Sequence, residues 1–343
     1  MSRTTQAETD FNAGHFYDLD GVRGILAIVV MLYHYGLNTV IGSILGVNDA
    51  VWDICVDFFF VLSGLVIARS VVKPEIHLWP FVLRRFWRLF PLHLMICLLF
   101  SPVLFLTPVQ IGPVDLALDL TALTPFALQS PRNFPAWSLG FEFYGPMLFV
   151  GLLSWKVPGR RVSTALAVLC VIVLLPTLHQ TLTRQRDNFG PFLDYVRAFS
   201  GLGLGFSLWL ALRDCRIALS AKISRQAFPL TILLFFAITL ISTEIPTVAY
   251  AMPAIFVAAM ITGMGSRTFF AWGLFRSAGR LSFGIYMVHV PILYTFLTLL
   301  GPDRLDGSMI FKGIMILTSI LAAWILHYIA ERPGLRIMQR FGC

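Results

Sequence analysis

Apolar residues fall in long runs separated by short polar stretches, at about 22–40, 51–71, 87–106, 137–155, 162–178, 192–212, 227–243, 246–264, 281–300 and 309–329. Each run is close to the roughly 17–25 residues that a helix needs to cross the hydrocarbon core of a bilayer. A chain in lipid must satisfy its backbone hydrogen bonds internally, so the runs are predicted to be helices. The expected fold class is all-α, a polytopic transmembrane helical bundle of about ten spans. Composition agrees: 57% of residues are hydrophobic and only 13% charged, about half the charge of an ordinary soluble domain.

Placing the N-terminus inside puts twenty lysines and arginines in the inner segments. Only Arg132, Arg184, Arg186 and Arg304 then remain in the outer loops, a strong positive-inside bias. Both termini are therefore expected in the cytoplasm, with an N-terminal segment over 1–21, a transmembrane domain over 22–333 and a tail over 334–343. The net charge of +8 comes from residues that punctuate apolar runs instead of forming one patch. That distribution fits short loops on an anionic leaflet and argues against nucleic-acid binding. Residues 1–20 are polar and lack a signal-peptide core, and no appended soluble domain is evident, so activity is expected within the membrane body. Five scattered cysteines give neither a disulfide framework nor a metal site. The longest outer connection, 107–136, is rich in proline and leucine and reads as either a re-entrant segment or an amphipathic lid.

Ionisable residues inside spans are costly and mark function or a buried pair. Arg23 and His34 share the first span, Asp57 lies in the second and His93 in the third. Glu142 lies in the fourth, Asp194 and Arg197 in the sixth, and His289 in the ninth. Eleven residues of helix return Arg23 and His34 to nearly one face and separate them by about 16 Å. A snorkelling arginine and a backbone-bonded histidine are the plainer alternative for that pair. Asp57, Glu142 and His289 are expected at a depth comparable with His34, where a carboxylate would fix the imidazole tautomer and raise its basicity. Arg84, Arg85 and Arg88 open the third span, and guanidinium groups grip phosphate bidentately. A basic mouth leading to a buried histidine suits a ligand with a polyphosphate head and a long neutral arm. Coenzyme A has that shape, as do other nucleotides and lipid phosphates in part. Asp194 and Arg197, three residues apart on a helix, are expected to pair. His93 and His327 read as structural, Gly201, Gly203 and Gly205 as points of close helix approach, and Trp52, Trp79, Trp137, Trp155 and Trp272 as interfacial anchors.

Several of these residues sit in segments that resemble the acyltransferase 3 family of membrane O-acyltransferases. Asp20-Gly21-Val22-Arg23-Gly24 running to Tyr33-His34 is similar to its opening Arg-x10-His signature. Val56-Asp57-Phe58-Phe59-Phe60-Val61-Leu62-Ser63-Gly64 and Arg84-Arg85-Phe86-Trp87-Arg88-Leu89-Phe90-Pro91 resemble its next two segments. Trp137-Ser138-Leu139-Gly140-Phe141-Glu142, Tyr286-Met287-Val288-His289 and Glu331-Arg332-Pro333 resemble the rest, all in family order.

The resemblance implies an acyltransferase of the bacterial inner membrane. It would move an acyl group, commonly acetyl, from cytoplasmic acyl-CoA to a hydroxyl, often of a saccharide. No permanently bound cofactor and no metal are implied; acyl-CoA is the donor substrate. His34 would be catalytic as general base, with acyl-histidine formation as the second mechanism, and Glu142 would support it. Asp57 or Glu142 would orient the imidazole. Arg23, Arg84, Arg85 and Arg88 would hold the donor, and Tyr33, Ser138, Tyr286 and His289 are further active-site candidates. The rival from another class is a transporter or flippase of an acylated or phosphorylated small molecule. Such proteins often carry inverted repeats with broken helices, and no internal repeat is evident.

Overall fold

A computed structural model describes residues 17–37, 54–71, 77–105, 112–153, 156–182, 190–212, 230, 269–302 and 308–340. Among them the long elements are α1 (Tyr17–His34), α2 (Ile54–Val71), α3 (Leu78–Phe105), α5 (Ala136–Leu153), α6 (Arg160–Leu182), α7 (Gly190–Leu212), α8 (Gly273–Leu300) and α9 (Met309–Leu326). A short α4 (Pro113–Thr121) precedes α5, and α9 continues through one π-helical turn (His327–Glu331) into α10 (Arg332–Gln339). No strand occurs among the described residues. The spans expected at 227–243 and 246–264 lie outside the described residues, apart from Leu230. Five described stretches are long and apolar enough to cross a membrane: 78–103, 136–153, 160–177, 273–300 and 309–339.

The apolar face points outward, as it must where lipid is the solvent. Only 28%, 22% and 28% of the apolar windows of α3, α6 and α9–α10 are buried, and Leu98, Leu99, Val168, Ile172, Ile310 and Leu317 are exposed. The charge-bearing helices α1, α2 and α7 supply much of the interior, with Leu26, Met31, Phe60, Leu65, Ala198 and Leu202 at most 1% exposed.

With no hydrophobic drive between helices in lipid, close contact relies on small residues. A Cβ on Gly24 would lie 2.5 Å from the backbone N of Gly279, and one on Gly279 would lie 2.2 Å from the Asp20 carbonyl. α1 and α8 therefore touch backbone to backbone. α2 and α7 do the same: a Cβ on Gly64 would meet Leu202 O at 2.0 Å, and one on Gly205 would meet Val61 O at 1.8 Å. A Cβ on Gly201 would lie 2.8 Å from Phe60 Cβ and one on Gly203 would lie 2.9 Å from Cys170 Sγ, so the three α7 glycines are packing residues.

Prolines inside helices each remove one ladder bond and expose the carbonyl four residues earlier. In α5, Pro146 frees the Glu142 carbonyl, which accepts a hydrogen bond from Arg85. In α8, Pro291 frees the Met287 carbonyl, which accepts from Asn133 Nδ2 at 2.9 Å. In α3, Pro102 frees Leu98 O for the Ser101 hydroxyl at 3.0 Å. Pro91 frees Trp87 O, against which Gly334 of α10 packs, with 2.2 Å to a would-be Cβ.

Of the long connection 107–136, residues 112–135 are described, and they form a cap. α4 lies on the surface with Val114 exposed, and a 3-10 turn (Thr124–Ala127) follows. The cap is tied down at many points: His93 Nε2 donates to Asp119 O at 2.8 Å, Tyr144 Oη donates to Thr121 O at 2.9 Å, and Tyr195 donates to Pro125 O. Arg132 pairs with Asp119 at 3.5 Å. His93 thus has the structural role expected of it.

The α1–α8 contact yields a stability prediction. Gly279→Leu should destabilise the protein by about 1–3 kcal/mol or more through overpacking, read as a lower melting temperature in detergent. Gly273→Leu, where a Cβ meets nothing within 4 Å, should leave that temperature within a degree or so of wild type.

Candidate active site

His34 closes α1, and its ring is set by two neighbours. Its Nδ1 lies 2.9 Å from Val30 O and 3.2 Å from His289 Nε2. His289 is fully buried, with Nδ1 3.2 Å from Ile285 O. A carbonyl can only accept, so each neutral ring carries its proton on Nδ1. His289 Nε2 then offers its lone pair to His34 Nδ1–H, and His34 Nε2 is left as the unprotonated, basic nitrogen. The backbone of His289 is also held: its carbonyl accepts from Tyr35 Oη at 2.9 Å, and that hydroxyl lies 2.5 Å from Ser319 Oγ. Lys312 of α9, buried in the same region, donates to Gly36 O at 3.1 Å.

Two chambers share Val56 and Tyr286 in their linings, and His34 lines the smaller of them. The larger is lined by Arg23, Arg85, Arg88, Ser63, Glu142, Ser138, Ser282 and Glu331, with apolar walls that include Val56, Phe59 and Leu62. Arg85 and Arg88 share one face of α3 because they are three residues apart. Arg85 is 9% exposed; one terminal nitrogen is spent on the Glu142 carbonyl, and its Nε is buried with no hydrogen-bond partner. A buried cationic N–H left open costs free energy unless a ligand meets it. Arg23 reaches Ser282 Oγ at 3.4 Å and Asp20 at 4.0 Å. Glu142 accepts from Ser63 Oγ at 3.2 Å. Glu331 is presented by the π-turn and accepts from His327 Nδ1 at 2.7 Å.

The smaller chamber is lined by Val30, His34, Val56, Phe134, Pro135, Trp137, Asp194, Arg197 and Tyr286. Val56 and Tyr286 belong to both linings and form the wall between them. The Ser138 hydroxyl lies 3.1 Å from Tyr286 Oη.

The residues anticipated from sequence are thus divided. His34 lies in one chamber, and Arg23, Arg85, Arg88 and Glu142 line the other. Arg84 lies outside both linings, because adjacent helical residues point about 100° apart. Tyr33 meets the edge of His34 at 5.3 Å between ring centroids. His289 stands beside the His34 imidazole at 3.2 Å, a pairing the sequence did not indicate. Asp57 is instead clamped by Arg197, with Nη2–Oδ2 at 2.7 Å and Nε–Oδ1 at 3.1 Å, both side chains buried. That bidentate geometry balances two charges that would otherwise be costly inside the bundle. Arg197 also approaches Asp194 at 3.7 Å, as the spacing predicted. Trp137, expected as an interfacial anchor, instead packs edge-on to Phe60 and Phe141 at 5.6 and 5.9 Å and lines the smaller chamber. Trp79 and Trp272 are exposed as anchors would be; Trp52 and Trp155 lie outside the described residues.

Sequence reasoning gave no role to Ser63, Phe134 or Lys312. Asn133 was equally unmarked, although Pro291, four residues beyond its acceptor Met287, signalled a carbonyl in need of a donor.

Comparison with known proteins places this geometry. Residues 16–328 match the family model Acyl_transf_3, described as an acyltransferase domain. The chain is 26% identical to acyltransferase MdmB of Streptomyces mycarofaciens, over 94% of this chain and 92% of that protein. It is 25% identical to peptidoglycan O-acetyltransferase OatA of Listeria monocytogenes, over 85% of this chain and 51% of that protein. It is 27% identical to a putative peptidoglycan O-acetyltransferase, YrhL, of Bacillus subtilis, over 92% of this chain and 54% of that protein. The chain therefore spans about half the length of these two peptidoglycan relatives. No solved structure matches it.

The Asp57–Arg197 pair supports a double-mutant test. Asp57→Asn should cost about 3–5 kcal/mol, because it strands a buried guanidinium. Asp57→Leu combined with Arg197→Met should recover most of that loss in thermal unfolding. A double variant no more stable than Asp57→Asn would mean that the pair is not what holds α2 to α7 electrostatically.

Proposed function

Since the chain belongs to the acyltransferase 3 family and is an enzyme that transfers acyl groups, we propose that it moves an acetyl group from acyl-CoA to a hydroxyl of a saccharide-like acceptor within the membrane. Carrying this reading is one observation: a buried arginine chamber, with the Arg85 Nε unpartnered, shares its Tyr286–Val56 wall with the chamber that contains His34.

In this reading Arg23, Arg85 and Arg88 hold the donor phosphates, and the pantetheine arm runs along the apolar wall of Phe59 and Leu62. The helical rise of about 16 Å between Arg23 and His34 is the span that the arm bridges. The thioester then lies at the shared wall. His34 Nε2 takes the acceptor hydroxyl proton as that oxygen attacks the thioester carbonyl carbon. The tetrahedral intermediate collapses, the carbon–sulfur bond breaks, and the thiolate takes the proton back from His34. His289 and the Val30 carbonyl hold the Nδ1–H throughout, so the protonated ring is stabilised without turning. Its place in the last turn of α1 favours the imidazolium further. Glu142, beside Ser63, positions the arginine side of the chamber. Formation of an acyl-histidine at Nε2 is the second mechanism, and it would leave label on the protein when acceptor is omitted.

The names of two relatives, both peptidoglycan O-acetyltransferases, support acetyl as the group and a glycan as the acceptor class. The positive-inside distribution supports cytoplasmic termini in a bacterial inner membrane, with the arginine chamber open to the cytoplasm.

Purified protein in detergent should release CoA from acetyl-CoA, and His34→Ala should lower that rate by at least a hundredfold. Arg85→Ala should raise the KM for acetyl-CoA about tenfold or more, one charge-assisted phosphate contact being worth roughly 1.5–3 kcal/mol; Arg84→Ala should change it less than threefold. His289→Leu should lower kcat strongly, and His289→Gln, which restores an acceptor near the Nε2 position, should recover part of it with KM unchanged. Absence of any acyl-CoA binding or turnover by wild type would remove the acyl-transfer reading.

A further inference from the structure

α9 leaves Ile310, Leu317 and Leu321 exposed and buries one stripe, made of Lys312, Met315, Ser319, Ala323 and Leu326. Lys312 and Ser319 stand seven residues apart, about two turns along one face, and neither belongs to the lining of a chamber. Both act instead on the two residues that follow His34. Lys312 Nζ donates to Gly36 O at 3.1 Å, and Gly36, with φ at +68°, ends α1 in the left-handed conformation. Ser319 Oγ lies 2.5 Å from Tyr35 Oη, which donates to His289 O at 2.9 Å. A tyrosine hydroxyl has one proton and a carbonyl can only accept, so Ser319 is the donor to Tyr35. One directed chain thus runs from Ser319 through Tyr35 to the His289 backbone, and all three residues are buried.

His34 is the last residue of α1, and helix ends are where the backbone frays. An ammonium group is also a costly choice for the buried position 312, where a methionine would fill similar volume without desolvating a charge. We infer that α9 is the positioning element of the histidine pair, and that Lys312 and Ser319 are positioning residues for acyl transfer. The inference rests on the acyl-transfer reading of His34 and adds to it two residues outside both linings. Lys312 fixes the turn that closes α1, and with it the ring that the last helical residue carries. Ser319 orients the Tyr35 hydroxyl, and that hydroxyl holds α1 to α8 where the two imidazoles meet at 3.2 Å. Hydrogen bonds polarised in one direction strengthen each other. Misplacing a reacting group by about 1 Å costs on the order of a hundredfold in rate, so the burial of Lys312 is repaid in turnover and not in stability.

The test reads CoA release from acetyl-CoA by the full chain in detergent, beside its melting temperature. Ser319→Ala should lower kcat at least fivefold with the KM for acetyl-CoA within twofold of wild type, and Ser319→Thr, which keeps the hydroxyl, should recover most of that loss. Tyr35→Phe should lower kcat at least tenfold, and adding Ser319→Ala to it should cost less than a further twofold, because both belong to one chain. Lys312→Met should lower kcat at least tenfold while the melting temperature falls by no more than about two degrees, and Lys312→Arg should restore part of the rate. Leu317→Ala, on the exposed side of the same helix, should stay within twofold of wild type in kcat. Unchanged kcat in Ser319→Ala and Lys312→Met, a loss that appears in KM, or losses that follow the melting temperature across the set would each overturn the positioning role. Should Lys312→Met fail to fold, Ser319→Ala and its rescue decide the matter alone. Absence of CoA release by wild type would instead fail the acyl-transfer reading.

Discussion

A carbonyl without a partner cannot be left to water inside a bilayer, and much of this architecture follows from four of the five prolines inside the described helices, Pro91, Pro102, Pro146 and Pro291, which create such carbonyls. Pro146 exposes Glu142 O, and Arg85 answers it, which turns an arginine inward and fixes it in a chamber wall. Pro291 exposes Met287 O, and Asn133 answers it, which anchors the cap two residues from His289 and carries Phe134 to within ring contact of His34. Pro91 exposes Trp87 O where α10 packs, next to the π-turn that presents Glu331. Only the Pro102 carbonyl is answered locally, by Ser101. Three of these four defects are thus converted into contacts between distant parts of the chain.

Glycine contacts supply the complementary constraint. Backbone-to-backbone contact of α1 with α8 sets His34 against His289 and Arg23 against Ser282. The corresponding contact of α2 with α7 sets Asp57 against Arg197. All three pairs are more than a hundred residues apart in sequence, and a side chain at any of the contact glycines would push their helices apart. Asp57 and Arg197 can occupy the interior because their charges are matched there, while most of the apolar windows of α3, α6 and α9–α10 face outward.

The helical nature of the chain, most described span positions, and the chemistry-bearing residues were legible because each is local: run length, composition and motif spacing. Pairings were less legible. That Asp194 and Arg197 would meet followed from helical periodicity, but that Arg197 would claim Asp57 depends on which two helices touch. Likewise, that His289 stands beside His34 follows from the α1–α8 contact, which period and hydropathy do not encode. Trp137 misled because position near a span end is shared by anchors and by site residues, and only its packing on Phe60 and Phe141 separates them. Arg84 shows the finer limit: a cluster of like residues reads as one unit, yet helical geometry turns Arg85 and Arg88 into the chamber and Arg84 away.

Val56 and Tyr286 are shared between the linings of both chambers. A change of side-chain volume at either position therefore alters two cavities at once, so neither chamber can be reshaped there independently of the other. Enlarging one through Val56 or Tyr286 enlarges its neighbour, and the pair of positions ties the two volumes to a single variable.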